Sequence, residues 1–219
     1  MNTVIHTLRN LTGAALSAAL VVSAPAALLT ATPATAQAQS GDLTNAVTAL
    51  RAISTMRADF AQTDLRGKRL TGVLTLKNPG KIRFQYQKGV PILVVSDGKA
   101  LTFIDYGVRQ VQRWPIGNSP LGALLNPRGN VMQYARLTPA TNSQIVGVEV
   151  RDKRHPEYGV ITFIFVRRAG VPGGLELSSW ATVDSQNTRT VVNLSNQRYG
   201  LAVPDSTFKF NDPRTATRR

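Results

Sequence analysis

The amino-acid sequence predicts a mainly β (α+β) fold: an unclosed antiparallel β-barrel, or highly curved sheet, with an N-terminal helix and a short lid helix over the concave face. Apolar and polar residues alternate with a period of two in about ten short segments. Turns rich in Gly, Pro, Asn and Asp separate these segments, as in consecutive hairpins. Only two stretches show helical spacing, so one large sheet with two covering helices accommodates the order of elements.

The N-terminal residues 1–38 have the three parts of a secretory signal peptide. A region with one cation, Arg9, precedes an apolar run over 11–30 and a series of small residues that ends at Ala38. We expect cleavage after Ala38, with Ala36 as the alternative, and export to the periplasm. A membrane anchor is the other interpretation, but Pro25 interrupts the run. The chain has no Cys, so it is not expected to be lipidated at the cleavage point.

The first element of the mature chain is predicted to be an amphipathic helix over 42–56. Ser40 or Asp42 is a suitable N-cap. Apolar residues then recur at helical spacing and form a stripe that must cover another part of the protein: Leu43, Val47, Leu50 and Ile53.

The strands follow from period-two alternation. They are predicted over residues 56–65, 70–77, 82–86, 92–95, 101–104, 108–114, 145–150, 160–166, 175–182 and 190–194. A turn over 78–81, with Pro second and Gly third, suits type II geometry. Residues 203–210 end the fold, which gives one domain over 39–212 and a basic tail over 213–219.

The strand pattern is interrupted in the middle of the chain. Pro120 suits the first turn of a helix and Pro127 ends it, which leaves one or two helical turns. These turns place three apolar side chains together as lid candidates: Leu121, Leu124 and Leu125. A further helical turn is expected over 131–135.

The residues give little support for catalysis, and no cofactor or metal is expected. After cleavage the only histidine is His155, in a charged loop, and no nucleophile, metalloprotease or phosphate-loop motif is present. A hydrolase with a pair of carboxylates, such as Glu149 and Glu176, is the remaining enzymatic alternative. We therefore expect a binding protein, not an enzyme.

The charge favours an anionic partner. The formal net charge is +14, and cleavage would remove Arg9 and no acid, leaving +13. An exported protein rarely meets nucleic acid, so an anionic membrane or an acidic protein surface is the expected partner. The cations form four clusters at predicted hairpin tips, strand ends and the tail: Arg66/Lys68/Arg69, Arg151/Lys153/Arg154, Arg167/Arg168 and Arg214/Arg218/Arg219.

Several short motifs occur in an order that resembles one known family. Residues 56–62 contain F-x-Q, residues 72–86 read G-x-L-x-L-K-x-P-G-K-x-R-F-x-Y, and residues 95–99 read V-S-D-G-K. Ser119-Pro120-Leu121 and Phe208-Lys209-Phe210 follow. In this order the chain resembles the outer-membrane lipoprotein carrier protein (LolA) family over about residues 43–212.

The resemblance implies a periplasmic carrier that is a monomer. Such carriers take acylated lipoproteins from an inner-membrane ABC exporter and pass them to an outer-membrane acceptor. The surplus charge would then concern docking, and an apolar face would hold the cargo. A periplasmic sensor that uses the same concavity for another amphiphile is the alternative.

The resemblance also gives roles to apolar residues of the alternating strands. The candidate lipid-binding residues are Leu74, Leu76, Ile82, Phe84, Tyr86, Phe103, Phe163 and Phe165. A closed core built from the same residues is the other interpretation. Leu43, Val47 and Leu50 would join the lid. In well-known members an Arg before the turn proline ties the barrel to the lid; here that position is Asn78, and Arg83 is the other possible latch.

Overall fold

The computed structural model describes residues 34–116, 130–140 and 142–215. This part of the chain contains one α-helix and eleven strands. They are α1 (Ala34–Ala52), β1 (Thr55–Asp64), β2 (Arg69–Lys77), β3 (Lys81–Tyr86), β4 (Ile92–Asp97), β5 (Ala100–Asp105), β6 (Gln110–Pro115), β7 (Ala135–Thr138), β8 (Ile145–Arg151), β9 (Val160–Arg167), β10 (Leu175–Val183) and β11 (Arg189–Tyr199).

The eleven strands form one antiparallel sheet in the order β6-β5-β4-β3-β2-β1-β11-β10-β9-β8-β7. Strands that are consecutive in the chain pair with each other, except β6 and β7, and β1 also pairs with β11. β6 and β7 are the two edges, so the sheet is not closed. This architecture confirms the predicted fold class, and the hairpin signals account for it because short turns make sequence neighbours pair.

Helix α1 differs from the prediction at both ends. It starts at Ala34, before the expected cleavage point after Ala38, and it ends at Ala52 instead of residue 56. Ser54 bends the chain, and Met56 already lies in β1, where it is fully buried. Within the described residues, no helix is both long and apolar enough to cross a membrane.

The stripe of α1 that faces the sheet is made mainly of small residues. Ala46, Val47 and Ala49 are buried, while Leu43 and Leu50 are half-buried. A Cβ at Gly173, whose φ is +68°, would lie 2.5 Å from the Ala49 Cα. Glycine is therefore required here both for the backbone conformation and for the close approach of the turn to the helix.

The middle of the chain holds the largest difference in secondary structure. Where a helical turn was expected over 131–135, a single 3₁₀ turn, Val131–Gln133, leads directly into β7. Strand β7 has only four residues, too few for alternation to identify it. The predicted lid residues Leu121, Leu124 and Leu125 lie outside the described residues.

The two faces of the sheet are covered by different parts of the chain. Helix α1 lies against the concave face, where it joins the main core with residues of both halves of the sheet. On the convex face the segment after β11 crosses the outer sides of β3, β4 and β5, and Phe208 packs there against Leu93, Val95 and Ile104.

Polar contacts fasten this C-terminal segment to the convex face. Asp205 accepts from the ammonium groups of Lys77 and Lys81, each at 2.7 Å. These hydrogen bonds lower the pKa of Asp205 to about 2. The Arg83 guanidinium donates to the carbonyl oxygens of Thr207 and Lys209 at 3.1 and 3.0 Å.

Candidate functional site

The concave face carries apolar side chains in register across several strands. Leu74 of β2 is opposite Phe84 of β3, and Leu76 is opposite Ile82. Phe84 is in turn opposite Val94 of β4. Directly opposite residues of paired strands share a face of the sheet, and so do residues two apart along one strand. All five side chains therefore lie on the same side of the sheet.

Aromatic rings connect the two halves of the sheet across the concavity. The Phe84 ring meets Phe60 of β1 edge-on at 5.3 Å and Trp180 of β10 at 5.9 Å. Phe163 of β9 lies 6.4 Å from the same Trp180 ring. Strands β3 and β10 are not neighbours in the sheet, so the Phe84–Trp180 contact spans the open interior.

These rings bound a cavity of about 220 Å³. Thirteen of its fifteen lining residues are apolar, and the lining described here includes no charged residue. The two polar ones are Asn78 and Thr182. Such a surface offers dispersion contacts and removal of apolar area from water, and it lacks the titratable groups that acid–base chemistry needs.

Five of the eight predicted lipid-binding side chains line this cavity: Leu74, Leu76, Ile82, Phe84 and Phe163. Phe165 is fully buried in the main core. Phe103 is opposite Val94 and half-buried, and it lies two residues along β5 from the lining residue Leu101. Whether any of the eight binds lipid stays a prediction.

Tyr86 lies beside the cavity without lining it. Its hydroxyl donates to the Gln62 amide oxygen at 2.7 Å, and its ring meets Phe60 edge-on at 5.1 Å. Burial raises the pKa of Tyr86, which favours the neutral phenol that donates this hydrogen bond.

Eight of the cavity-lining residues that the structure brings together were not among the site residues predicted from the sequence. These are Ile53, Met56, Val94, Leu101, Ile161, Leu177, Trp180 and Thr182. Alternation within each predicted strand could have found Leu101 and Ile161, because they share a face with Phe103 and Phe163. Ile53 follows the end of α1, whose predicted position at residue 56 is four residues too late.

The two proposed latch residues lie on opposite faces of the sheet. Asn78 is on the cavity side, where its amide donates to the carbonyl oxygens of Ile53 at 2.5 Å and Leu50 at 3.4 Å. It therefore ties the β2–β3 turn to the end of α1. Arg83 alternates with the lining residues Ile82 and Phe84, and it binds the C-terminal segment on the convex face.

The candidate acidic pair for hydrolysis is too far apart to act together. Glu149 is opposite Thr162, and Glu176 is opposite Val166 on the same strand, β9. Four residues along a strand span about 13 Å, whereas hydrolytic carboxylate pairs are about 5–9.5 Å apart. Glu176 instead pairs with Arg168 at 2.5 Å.

His155 has a local role in its loop. Its Nδ1 lies 2.9 Å from a carboxylate oxygen of Glu157, and its ring stacks on Tyr158 at 5.2 Å. Across the described ranges, no group of three or more His, Asp or Glu side chains could hold a metal ion.

Fold and cavity together define a β-rich protein that can enclose an apolar group. A sequence model described as outer membrane lipoprotein carrier protein LolA matches residues 51–211. An outer-membrane lipoprotein carrier protein of Chromobacterium violaceum is 31% identical over 168 residues, which are 73% of this chain and 78% of the relative. The corresponding protein of Dechloromonas aromatica is 30% identical over 173 residues, 75% of this chain and 80% of the relative.

Two solved structures align with this chain at lower sequence identity. A LolA superfamily protein of Nitrosomonas europaea aligns with a TM-score of 0.45 at 10% identity, over 78% of this chain and 97% of that one. An uncharacterised conserved protein of Thermus thermophilus aligns with a TM-score of 0.48 at 9% identity, over 83% of this chain and all of the other. On the match over 51–211, the chain belongs to the outer membrane lipoprotein carrier protein LolA family.

Proposed function

We propose that this protein carries lipoproteins through the periplasm by holding their acyl chains in the cavity on the concave face. The observation that supports this most is the uncharged, mainly apolar lining around Phe84 and Trp180. The relatives at 30–31% identity are outer-membrane lipoprotein carrier proteins, which supports lipoproteins as the cargo class. The proposed route runs from an inner-membrane ABC exporter to an outer-membrane acceptor or the membrane surface, after removal of the signal peptide.

The energetics require such a cavity. Each buried CH₂ is worth about 0.8 kcal/mol, so the acyl chains of one lipoprotein represent on the order of tens of kcal/mol. Free passage through water is excluded at that cost. On loading, lipid contacts would replace contacts within the empty protein. The net difference in free energy between the two states would then be small, which permits release.

Loading must enlarge the cavity. Its volume of about 220 Å³ exceeds only modestly the ~150 Å³ apolar cavity that accommodates benzene. We propose that acyl chains separate Phe84 from Trp180, which meet across the interior at 5.9 Å.

The test is to place a charge in the cavity. In Phe84→Glu a carboxylate would have to lie against acyl chains without a partner, which costs several kcal/mol. We expect loading with an acylated lipoprotein, measured by mass spectrometry of the purified periplasmic protein, to fall at least about tenfold. Replacing Glu149 and Glu176, by contrast, should leave loading unchanged.

Gln85→Glu is the matched control. It introduces the same charge one residue away, on the exposed opposite face of β3. It should fold and load normally. Normal loading by a folded Phe84→Glu protein would refute the position of the cargo, and folding is checked by circular dichroism and thermal unfolding.

A further inference from the structure

Exposed apolar side chains are concentrated at one end of the sheet. In the described part of the chain six large apolar residues are strongly exposed: Leu65, Tyr106, Val108, Trp114, Met132 and Tyr158. All except Trp114 lie on the loops that follow β1, β5 and β8 or precede β7. In an antiparallel sheet with this order, these connections are at the same end.

Three hairpin tips at this end are adjacent, and we name them the tip face: residues 65–69, 87–91 and 106–109. The Tyr106 N–H donates to the Pro91 carbonyl at 2.7 Å, which joins the second and third tips. The Gln87 N–H donates to the Thr71 carbonyl at 2.9 Å, which joins the second to the base of the first. The cavity-side contacts of Asn78 with α1 are at the opposite end of β2.

The apolar residues of the tip face stand well out of the protein. Leu65 is 63% and Val108 is 70% exposed. Single exposed apolar residues are ordinary on a protein surface. Here, however, the other exposed large apolar residues except Trp114 are at the same end of the sheet, and backbone hydrogen bonds join the neighbouring hairpins. Leu65 and Val108 are therefore presented at the same end of the molecule.

The charge of the tip face has one sign. Its cations are all exposed: Arg66, Lys68, Arg69, Lys88 and Arg109. Among the ion pairs of the described residues, none includes any of these five. The carboxylates that flank the tips point into their own turns: Asp64 accepts the N–H groups of Arg66 and Lys68, and Asp105 accepts that of Gly107.

We infer that the tip face is a docking surface for an anionic phospholipid bilayer. Exposed Leu and Val side chains beside several unpaired cations are the combination that interfacial membrane binding uses. An acidic protein would employ the cations but would gain little from Leu65 and Val108. This inference concerns where the empty or loaded protein meets a membrane, and it goes beyond the proposed binding of acyl chains in the cavity.

The test uses the full mature chain and vesicles made of equal parts phosphatidylglycerol and phosphatidylethanolamine. We expect wild-type protein to cosediment with these vesicles and not with vesicles of phosphatidylcholine alone. Leu65→Ser with Val108→Ser should lower binding at least about tenfold. Arg66→Gln, Lys68→Gln and Arg69→Gln together should lower it about a hundredfold, because each cation accounts for roughly a fivefold change near an anionic surface.

Two controls distinguish binding through the tip face from nonspecific hydrophobic binding and from an effect of net charge. Trp114→Ser removes an exposed apolar residue at the far end of β6. Arg57→Gln, Arg198→Gln and Lys209→Gln together remove the same charge from exposed positions elsewhere on the protein. Both controls should bind the anionic vesicles within about twofold of wild type, since neither touches the tip face.

A direct readout is possible because the chain has no Cys. An environment-sensitive fluorophore on Leu65→Cys should shift to the blue on anionic vesicles, and the same label on Trp114→Cys should not. The inference is overturned if wild-type protein does not bind anionic vesicles, if the tip variants bind as wild type does, or if the charge control loses binding equally. Cargo loading of the tip variants tests the proposed function separately, because no tip residue lines the cavity.

Discussion

Phe84 contacts residues of both halves of the sheet, and its ring therefore reports on the state of the cavity. It meets Phe60 on one side and Trp180 on the other. A ligand that enters between β3 and β10 has to break the second contact. The indole of Trp180 then exchanges an aromatic neighbour for an acyl chain.

This exchange predicts a spectroscopic signal. The chain has two Trp residues, so Trp114→Phe leaves Trp180 as the only indole. On titration with an acylated peptide we expect a saturable change in the intensity and wavelength of Trp180 emission, because its ring contacts change. The unacylated peptide is the control. An unchanged spectrum under conditions where binding is demonstrated independently would contradict a cavity bounded by Trp180.

Asn78 shows how a shorter side chain can still fasten a helix. The end of a helix leaves carbonyl groups without partners, and the Asn78 amide donates to two carbonyls near the end of α1. The backbone N–H of Asn78 also donates to the carbonyl oxygen of Ser54, at 2.8 Å. The contact joins a cavity-lining turn to the helix that covers the concave face.

Asn78→Ala should loosen this junction. We expect the free energy of unfolding to fall by about 1–3 kcal/mol, because two partly buried carbonyls lose their donor. Amide hydrogen exchange should accelerate over 50–54 more than in the strands. Asn193→Ala, at an exposed position of β11, is the matched control and should change neither quantity. Equal behaviour of the two variants would mean that Asn78 does not hold α1.

Among the elements, the C-terminal segment has a pH-dependent attachment. The pKa of Asp205 is lowered from 3.8 to about 2 by its hydrogen bonds with Lys77 and Lys81. A carboxyl group with a lowered pKa stabilises the folded state above its unfolded pKa, and that stabilisation is lost as the pH falls toward the folded pKa. The contribution should therefore disappear between about pH 4 and 2.

Asp205→Asn tests this attachment. The variant should be less stable than wild type at pH 7, by a small amount since Asp205 is 62% exposed. The difference between the two proteins should vanish as the pH falls from 4 to 2, measured by chemical unfolding at each pH. A difference that stays constant over this range would show that the ion pairs do not carry the effect.

Elements with a clear period were predictable from the sequence, and short or irregular ones were not. Ten strands follow from alternation, because one apolar face must be buried. The fold class follows from the hairpin turns, including Gly80, whose φ is +73°. Strand β7 is too short to alternate visibly, and the end of α1 was misplaced because Met56 fits both a helical stripe and a strand.

At the scale of the whole molecule, the sheet consists of two β-meanders that are joined by the pairing of β1 with β11. Strands β2–β6 follow β1 on one side, and β10–β7 follow β11 on the other. The cavity receives residues from both meanders. The sequence alone could not divide the concave face into cavity and core. Phe163 and Phe165 are on the same face of β9 and fit the same alternation, but Phe163 lines the cavity and Phe165 is fully buried in the core. Only the separation between the two halves of the sheet distinguishes the two positions.

The open sheet also has a consequence for self-association. Unpaired edge strands are templates on which other copies of a chain can add strands. At one edge, β6 ends at Pro115, which lacks a donor, and carries the exposed charge of Arg113; at the other, β7 offers only four residues. Both edges of the open sheet thus carry features that oppose the addition of a further strand.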